Sequence, residues 1–291
     1  EQPSSRGALQ NTANGVLAFE ETILNQFRAS MSSIKASASL KNELLNYQRD
    51  FYQSVRRKKA KGHYLATIEG DKTRLVEFVR VLRGHQITVE LLAKDAMAGG
   101  AEYKAGVTLA IPADQIQSTY LSAIWRRQLN FQEKVFYDVS TWTLPLAFGL
   151  THTTEPVRGL TTEKLSEQLS PQSKELARSS VGYLIDWRDS ATPKFLYQLM
   201  DTEVKIRVAT RPLTADVKKQ GVRSFGYGTL FVSPQLTEDF PEDALKILDS
   251  AARAGVGVYS VESSTTPVGI DMGSRYFKVI SKPNVLLTSG A

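Results

Sequence analysis

The run Asp186-Trp187-Arg188-Asp189 places two carboxylates and a tryptophan directly after the apolar stretch Val181-Gly182-Tyr183-Leu184-Ile185. Such a stretch reads as a strand, and open α/β sheets put their ligand sites beyond the carboxyl ends of strands. Aspartates held there could serve as general acids or bases. A second stretch, Phe136-Tyr137-Asp138-Val139-Ser140-Thr141-Trp142, is dense in aromatics and polar at intervals. Asp138, Trp142, Asp186 and Trp187 are therefore the candidate cleft residues. Aromatic packing between a helix and a sheet explains the same residues without a ligand, and is the simpler reading.

Other spacings carry less. His152-Thr153-Thr154-Glu155 has the His-x-x-Glu spacing of zinc peptidases, but a zinc site needs a third ligand on a rigid frame. No histidine follows His152; the others are His63 and His85. The pair also sits in a polar stretch with Pro156 next, so no metal is expected in this chain. Ser32-Ser33-Ile34-Lys35 has the Ser-x-x-Lys spacing of penicillin-recognising enzymes without their further elements, and reads as a helix surface. Gly226-Tyr227-Gly228 precedes a strand and Gly255-Val256-Gly257 follows a helix, the wrong order for a dinucleotide fingerprint. The chain has no cysteine, which excludes disulfides, zinc thiolates and thiolate nucleophiles.

The elements that position these residues are legible in outline. Ile23, Phe27, Met31 and Ile34, then Leu40, Leu44, Tyr47, Phe51 and Val55, recur at helical spacing. They predict two long helices, or one with a break near Ser37 to Ser39, acting as a connector. From Gly62 the texture becomes strand, helix, strand: His63 to Ile68, a helix opened by Asp71 and ended by Gly84, then Ile87 to Leu92. This is a β-α-β signature, which suggests a parallel sheet. The second half repeats the theme, with strands at 181–185, 204–209, 228–232 and 256–261 and a helix over 242–254. No sequence repeat relates the halves.

The expected organisation is a mixed leading segment plus a helical connector over 1–61, an α/β unit over 62–150, an exposed polar linker over 151–180 and a second α/β unit over 181–291. With 291 residues, 42% hydrophobic and 23% charged, the chain is composed like a folded globular protein. The net charge of +6 is mild. Its one dense cluster, Arg56-Arg57-Lys58-Lys59, suits a helix carboxyl end better than a nucleic-acid patch. No window is apolar enough to span a membrane. The first and last residues, Glu1 and the run Val285 to Ala291, read as cuts through structure.

Four stretches taken together resemble a known family: Glu1-Gln2-Pro3-Ser4-Ser5-Arg6-Gly7, Thr22-Ile23-Leu24-Asn25-Gln26-Phe27, Leu45-Asn46-Tyr47-Gln48-Arg49-Asp50-Phe51-Tyr52, and Phe136 through Ala147. They are similar to the part of large bacterial zinc-carboxypeptidase-family proteins that lies downstream of the metal site. There a helical connector leads into α/β segments similar to the class I glutamine amidotransferase fold. The resemblance implies mostly parallel, Rossmann-like or flavodoxin-like sheets, truncated at the carboxyl end. It makes Glu1 the counterpart of the family's general acid/base glutamate, stranded from zinc ligands that would lie upstream. Zinc then belongs to the parent protein, the chain alone is inert as a peptidase, and no cofactor is implied in it. The implied partners are the rest of the parent peptidase and its peptide substrate, with no nucleic acid, and the implied location is periplasmic or secreted. Because amidotransferases attack with a cysteine, the α/β region reads as a non-catalytic accessory module. The alternatives are a peptide- or glycan-binding module working through Trp142 and Trp187, or an enzyme using Asp138, Asp186 or Asp189.

Overall fold

The computed structural model describes residues 7–57, 61–127, 143–165, 176–237 and 239–284. The chain divides after Lys59 into two compact units. In the first, β1 (Leu9–Thr12) and β2 (Gly15–Ala18) pair as an antiparallel hairpin turned through Asn14-Gly15. The Thr12 hydroxyl donates to the Gly15 carbonyl at 2.8 Å. Two helices follow, α1 (Phe19–Ser39) and α2 (Lys41–Arg57). Leu40 separates them, yet its N–H still donates to Ala36 O at 2.8 Å and its carbonyl accepts from Leu44 N–H at 2.9 Å. Leu40 itself has φ −100° and ψ 20°, outside the helical region, and ends α1. No residue of α1 is buried.

The second unit opens with β3 (His63–Thr67), α3 (Lys72–Gly84) and β4 (Glu90–Leu92). A small hairpin of β5 (Ala96–Ala98) and β6 (Ala101–Tyr103) precedes β7 (Leu109–Pro112). Then come α4 (Ser118–Trp125), α5 (Leu144–Ala147), β8 (Thr151–His152) and β9 (Thr162–Lys164). These strands make a five-stranded sheet ordered β8-β3-β7-β4-β9. Every ladder in it is antiparallel.

The remainder runs β10 (Gly182–Ile185), α6 (Thr192–Leu199), β11 (Ile206–Ala209), the hairpin β12 (Leu213–Val217) and β13 (Gly221–Phe225), β14 (Leu230–Val232), α7 (Glu242–Arg253), β15 (Val258–Val261) and β16 (Phe277–Ile280). Its seven-stranded sheet is ordered β13-β12-β15-β10-β14-β11-β16. Five consecutive strands of it, β15-β10-β14-β11-β16, reproduce the first sheet position for position. Helix α6 follows the first strand of its set as α3 does, and α7 precedes β15 as α4 and α5 precede β8. In both sets a hairpin is inserted between the second and third strands. The fold is therefore one split β-α-β plan used twice.

The layers match as well. In the first repeat Tyr64 and Ala66 of β3 pack with Phe78, Leu82, Leu121 and Trp125 from the helices, while Leu65 faces Tyr103 and the small hairpin. In the second, Tyr183 and Ile185 of β10 pack with Phe195, Leu199 and Leu248 from the helices. Leu184 meets Ala215, Phe225 and Met272 on the other face. Helices cover one side of each sheet and the inserted hairpin covers the other.

This explains the departure from the expected parallel, Rossmann-like or flavodoxin-like sheets. The fold is mixed α/β, and the strand-helix-strand runs are there. In each case, though, an antiparallel strand separates the two strands that the helix joins: β7 between β3 and β4, β14 between β10 and β11. A strand buried on both faces is a continuous apolar run, which is also how a parallel strand reads. All four residues of β10 are buried. Residues 151 to 165, which the sequence suggests as exposed linker, supply β8 and β9, the two edges of the first sheet. Edge strands carry polar and charged side chains, so their composition mimics a loop.

Candidate functional site

Equivalent loops of the two repeats, those leading from β3 into α3 and from β10 into α6, meet each other. Asp71 caps α3: its Oδ1 accepts from the Arg74 N–H at 2.9 Å. The same oxygen accepts from the Ser190 hydroxyl at 3.0 Å, a bond from one repeat to the other. Arg74 Nε stands 3.0 Å from Asp71 Oδ2, an ion pair without the angle of a hydrogen bond. Asp71 is 2% exposed, so these contacts are made out of water.

Across the junction, Asp186 and Arg188 form a fork. Arg188 Nη2 donates to Asp186 Oδ2 at 2.7 Å, and Nε reaches both oxygens at 3.1 Å. The Arg188 N–H adds a bond to Asp186 Oδ1 at 3.0 Å. Planar, two-pronged pairing of this kind is the geometry in which guanidinium and carboxylate bind best. The remaining Arg188 prong, Nη1, reaches Glu69 Oε1 of the other repeat at 3.1 Å. The hydrogen bonds to Asp186 push the Arg188 guanidinium well above its ordinary value against the opposing effect of burial, with Glu69 adding to the rise. Arg188 is a permanent cation at this place.

Two glycines let the loops approach. Gly70 has φ +79°, and a Cβ on it would lie 2.9 Å from Arg188 Nε. Gly228 has φ +82°, and a Cβ there would lie 3.0 Å from Trp187 Cδ1. Glycine alone suits both the left-handed backbone and the contact. Trp187, seated on Gly228, is 40% exposed. Asp189 turns inward instead: Oδ1 accepts from Ala191 N–H at 2.9 Å, while Oδ2 is buried without a hydrogen-bond partner.

The sequence candidates therefore divide. Asp186 and Trp187 share the junction, with Asp189 following in the same loop. Asp138, Trp142 and Glu1 lie outside the described residues. His152 belongs to β8, where its Nδ1 is 2.9 Å from Leu150 O and its ring meets Trp125 edge-on. Glu155 acts on the Tyr64 phenol, which burial first and this carboxylate second push up. Among the described residues no group of three or more His, Cys, Asp or Glu side chains is arranged to hold a metal ion. An open depression of about 630 Å³ along β4 and β9, lined by Thr88, Glu90, Thr162 and Lys164, contains none of the candidates.

Sequence reasoning found Asp71 as a helix cap and missed its partner. Ser190, Glu69, Gly70 and Arg74 join the junction only because the second repeat brings its loop to the first. The signal that could have found them is positional: both loops follow the first strand of a repeat and lead into its first helix. Searches of protein-family models, of curated proteins and of solved structures return no match.

Proposed function

We propose that this chain is a non-catalytic accessory region of a zinc-carboxypeptidase-like protein, with its duplicated α/β unit acting as a structural module beside the parent's peptidase domain. The observation that carries the non-catalytic part is the state of the junction acids. Both oxygens of Asp186 accept hydrogen bonds from a permanent cation, and Asp71 Oδ1 is shared by a helix cap and Ser190. A carboxylate whose oxygens are already committed in this way has no free oxygen turned to a substrate, which does not suit a general base. The parent assignment rests on the sequence resemblance described above, which also supplies the zinc, the peptide substrate and the periplasmic or secreted location as properties of that parent. Of its amidotransferase-like part we keep the strand-helix-strand connections and not the parallel sheet.

One observation favours a second reading, a peptide- or glycan-binding module: Trp187 is held half-exposed at the junction by Gly228 rather than packed away. Release of carboxyl-terminal residues from a peptide panel, with and without added zinc, tests the first reading. The 291-residue chain is expected to release none. Hydrolysis by this chain would overturn the proposal. Titration of peptides and glycans against Trp fluorescence tests the second, and a saturable response lost in Trp187→Ala would favour it.

A further inference from the structure

Four arginines of the second unit, Arg74, Arg80, Arg188 and Arg253, each pair with a carboxylate. Three others gathered where β11 meets the edge strand β16, namely Arg207, Arg211 and Arg275, have no carboxylate partner among the described residues. Arg207 is the unusual one. On β11 it alternates with Ile206 and Val208, which pack with the helices, so it shares with Ala209 the face that carries the inserted hairpin. It stands opposite Phe231 of β14 and Val279 of β16. Its Nε is buried without a hydrogen-bond partner. A charged group drawn out of water normally has an opposite charge or an acceptor beside it.

Three residues along the same strands, roughly 10 Å away, the other two cations are held in place. Thr210 donates from its N–H and from its hydroxyl to the Tyr276 carbonyl, at 3.0 and 2.8 Å. The Arg211 guanidinium lies 3.9 Å from the centre of the Tyr276 ring, and that of Arg275 lies 5.1 Å from it. Arg275 Nη2 also donates to the Tyr276 hydroxyl at 3.1 Å. Stacking on an aromatic ring orients a guanidinium while leaving N–H groups on its rim free. Tyr276 packs against the same core as Phe231 and Phe277, so all three cations belong to one face. Beside Arg275, the Ser274 hydroxyl oxygen is a second buried polar atom without a partner. The acid of this loop, Asp271, turns its Oδ1 to the Thr266 N–H at 2.8 Å.

We propose that this edge of the seven-stranded sheet binds a phosphate monoester group, with Arg207, Arg211 and Arg275 as its donors. Guanidinium forks offer donors only, and they match the oxygens of a phosphate in pairs. Three cations favour a group carrying about two negative charges over a carboxylate or a sulfate ester, which carries one. A bound phosphate supplies the counter-charge that Arg207 lacks. The site uses none of the junction residues, and it stands whether or not the junction is purely structural.

The test titrates the 291-residue chain with phenyl phosphate, phenyl sulfate and benzoate by calorimetry, at one ionic strength and slightly alkaline pH. Phenyl phosphate is expected to bind saturably and at least about tenfold more tightly than either monoanion. That advantage is expected to shrink below about pH 6, where the phosphate ester takes up a proton. Arg207→Met is expected to weaken phenyl phosphate by about tenfold or more while Tm holds or rises, because an unmatched cation has been removed. Loss of binding is then not loss of fold. Arg211→Gln with Arg275→Gln, both at the surface, is expected to weaken binding similarly with Tm unchanged. Displacement of phenyl phosphate by glycerol phosphate alone marks a free ester as the ligand, and displacement by phosphatidic acid vesicles marks a lipid headgroup; either supports the site. Three results would overturn the proposal: no saturable binding of phenyl phosphate, equal binding of the three probes, or wild-type affinity in both variants.

Discussion

Replacing Asp71 by alanine removes three interactions at once, and each can be sized. Loss of the α3 cap costs about 1 kcal/mol. Loss of the Ser190 bond to a buried carboxylate, leaving the hydroxyl without its acceptor, costs about 1–1.5 kcal/mol. The Arg74 pair adds under about 1 kcal/mol, because the Arg74 side chain is 40% exposed and screened by solvent. The sum is about 3 kcal/mol, which for a unit of this size corresponds to a fall in Tm of about 6–12 °C. Asp71→Asn retains the acceptor for the cap and for Ser190, and is expected to cost less than half as much. Chemical denaturation of Asp71→Ala, Ser190→Ala and the double variant closes a cycle. The two substitutions are expected to couple by about 1 kcal/mol, since they remove the same bond. A loss below about 1 kcal/mol for Asp71→Ala, or additivity with Ser190→Ala, would refute the idea that this bond ties one repeat to the other.

Further outcomes follow from the same geometry. Gly70→Ala should destabilise by about 1–2 kcal/mol through its positive φ and the 2.9 Å approach to Arg188, read by thermal melting. Gly228→Ala should displace Trp187 and shift its emission while the far-ultraviolet spectrum stays the same. Asp95 is held below its ordinary carboxylate value first by the Ala105 N–H and then by Lys104. A folded value below the unfolded one means its contribution is present above pH 3.8 and disappears as pH falls through the lower folded value. An NMR titration of the Asp95 carboxyl should show this, and Lys104→Met should move the midpoint up part of the way only.

Much of the local structure was legible because it depends on neighbours in sequence. Asp71 opens α3, Gly84 ends it, and the helix expected over 242–254 is found at Glu242–Arg253. The strand expected at 181–185 is found at Gly182–Ile185. What local pattern cannot give is the order of strands. Nothing in the run Leu109 to Pro112 announces that it lies between β3 and β4, and that single placement turns an expected parallel pair into two antiparallel ones. That the two halves share an architecture was legible; that they share a strand order was not, for the same reason. Phe78 and Leu82 in one half and Phe195 and Leu199 in the other are the same pair four residues apart under the sheet, too short a match to mark a repeat in sequence. The site was half legible. Asp186 and Trp187 stand at a strand end as expected, but Arg188, whose guanidinium occupies both oxygens of Asp186, was not among the candidates. The helical spacing of residues 23–55 announced the two helices of the first unit.

The central claim is that the junction acids hold the fold and do not carry a reaction. It is tested most directly by Asp186→Asn in the parent peptidase proposed above, with stability and kcat/KM for peptide hydrolysis measured on the same preparation. The account predicts a lower Tm with kcat/KM unchanged. A variant that melts like the wild type yet has lost hydrolysis would contradict it.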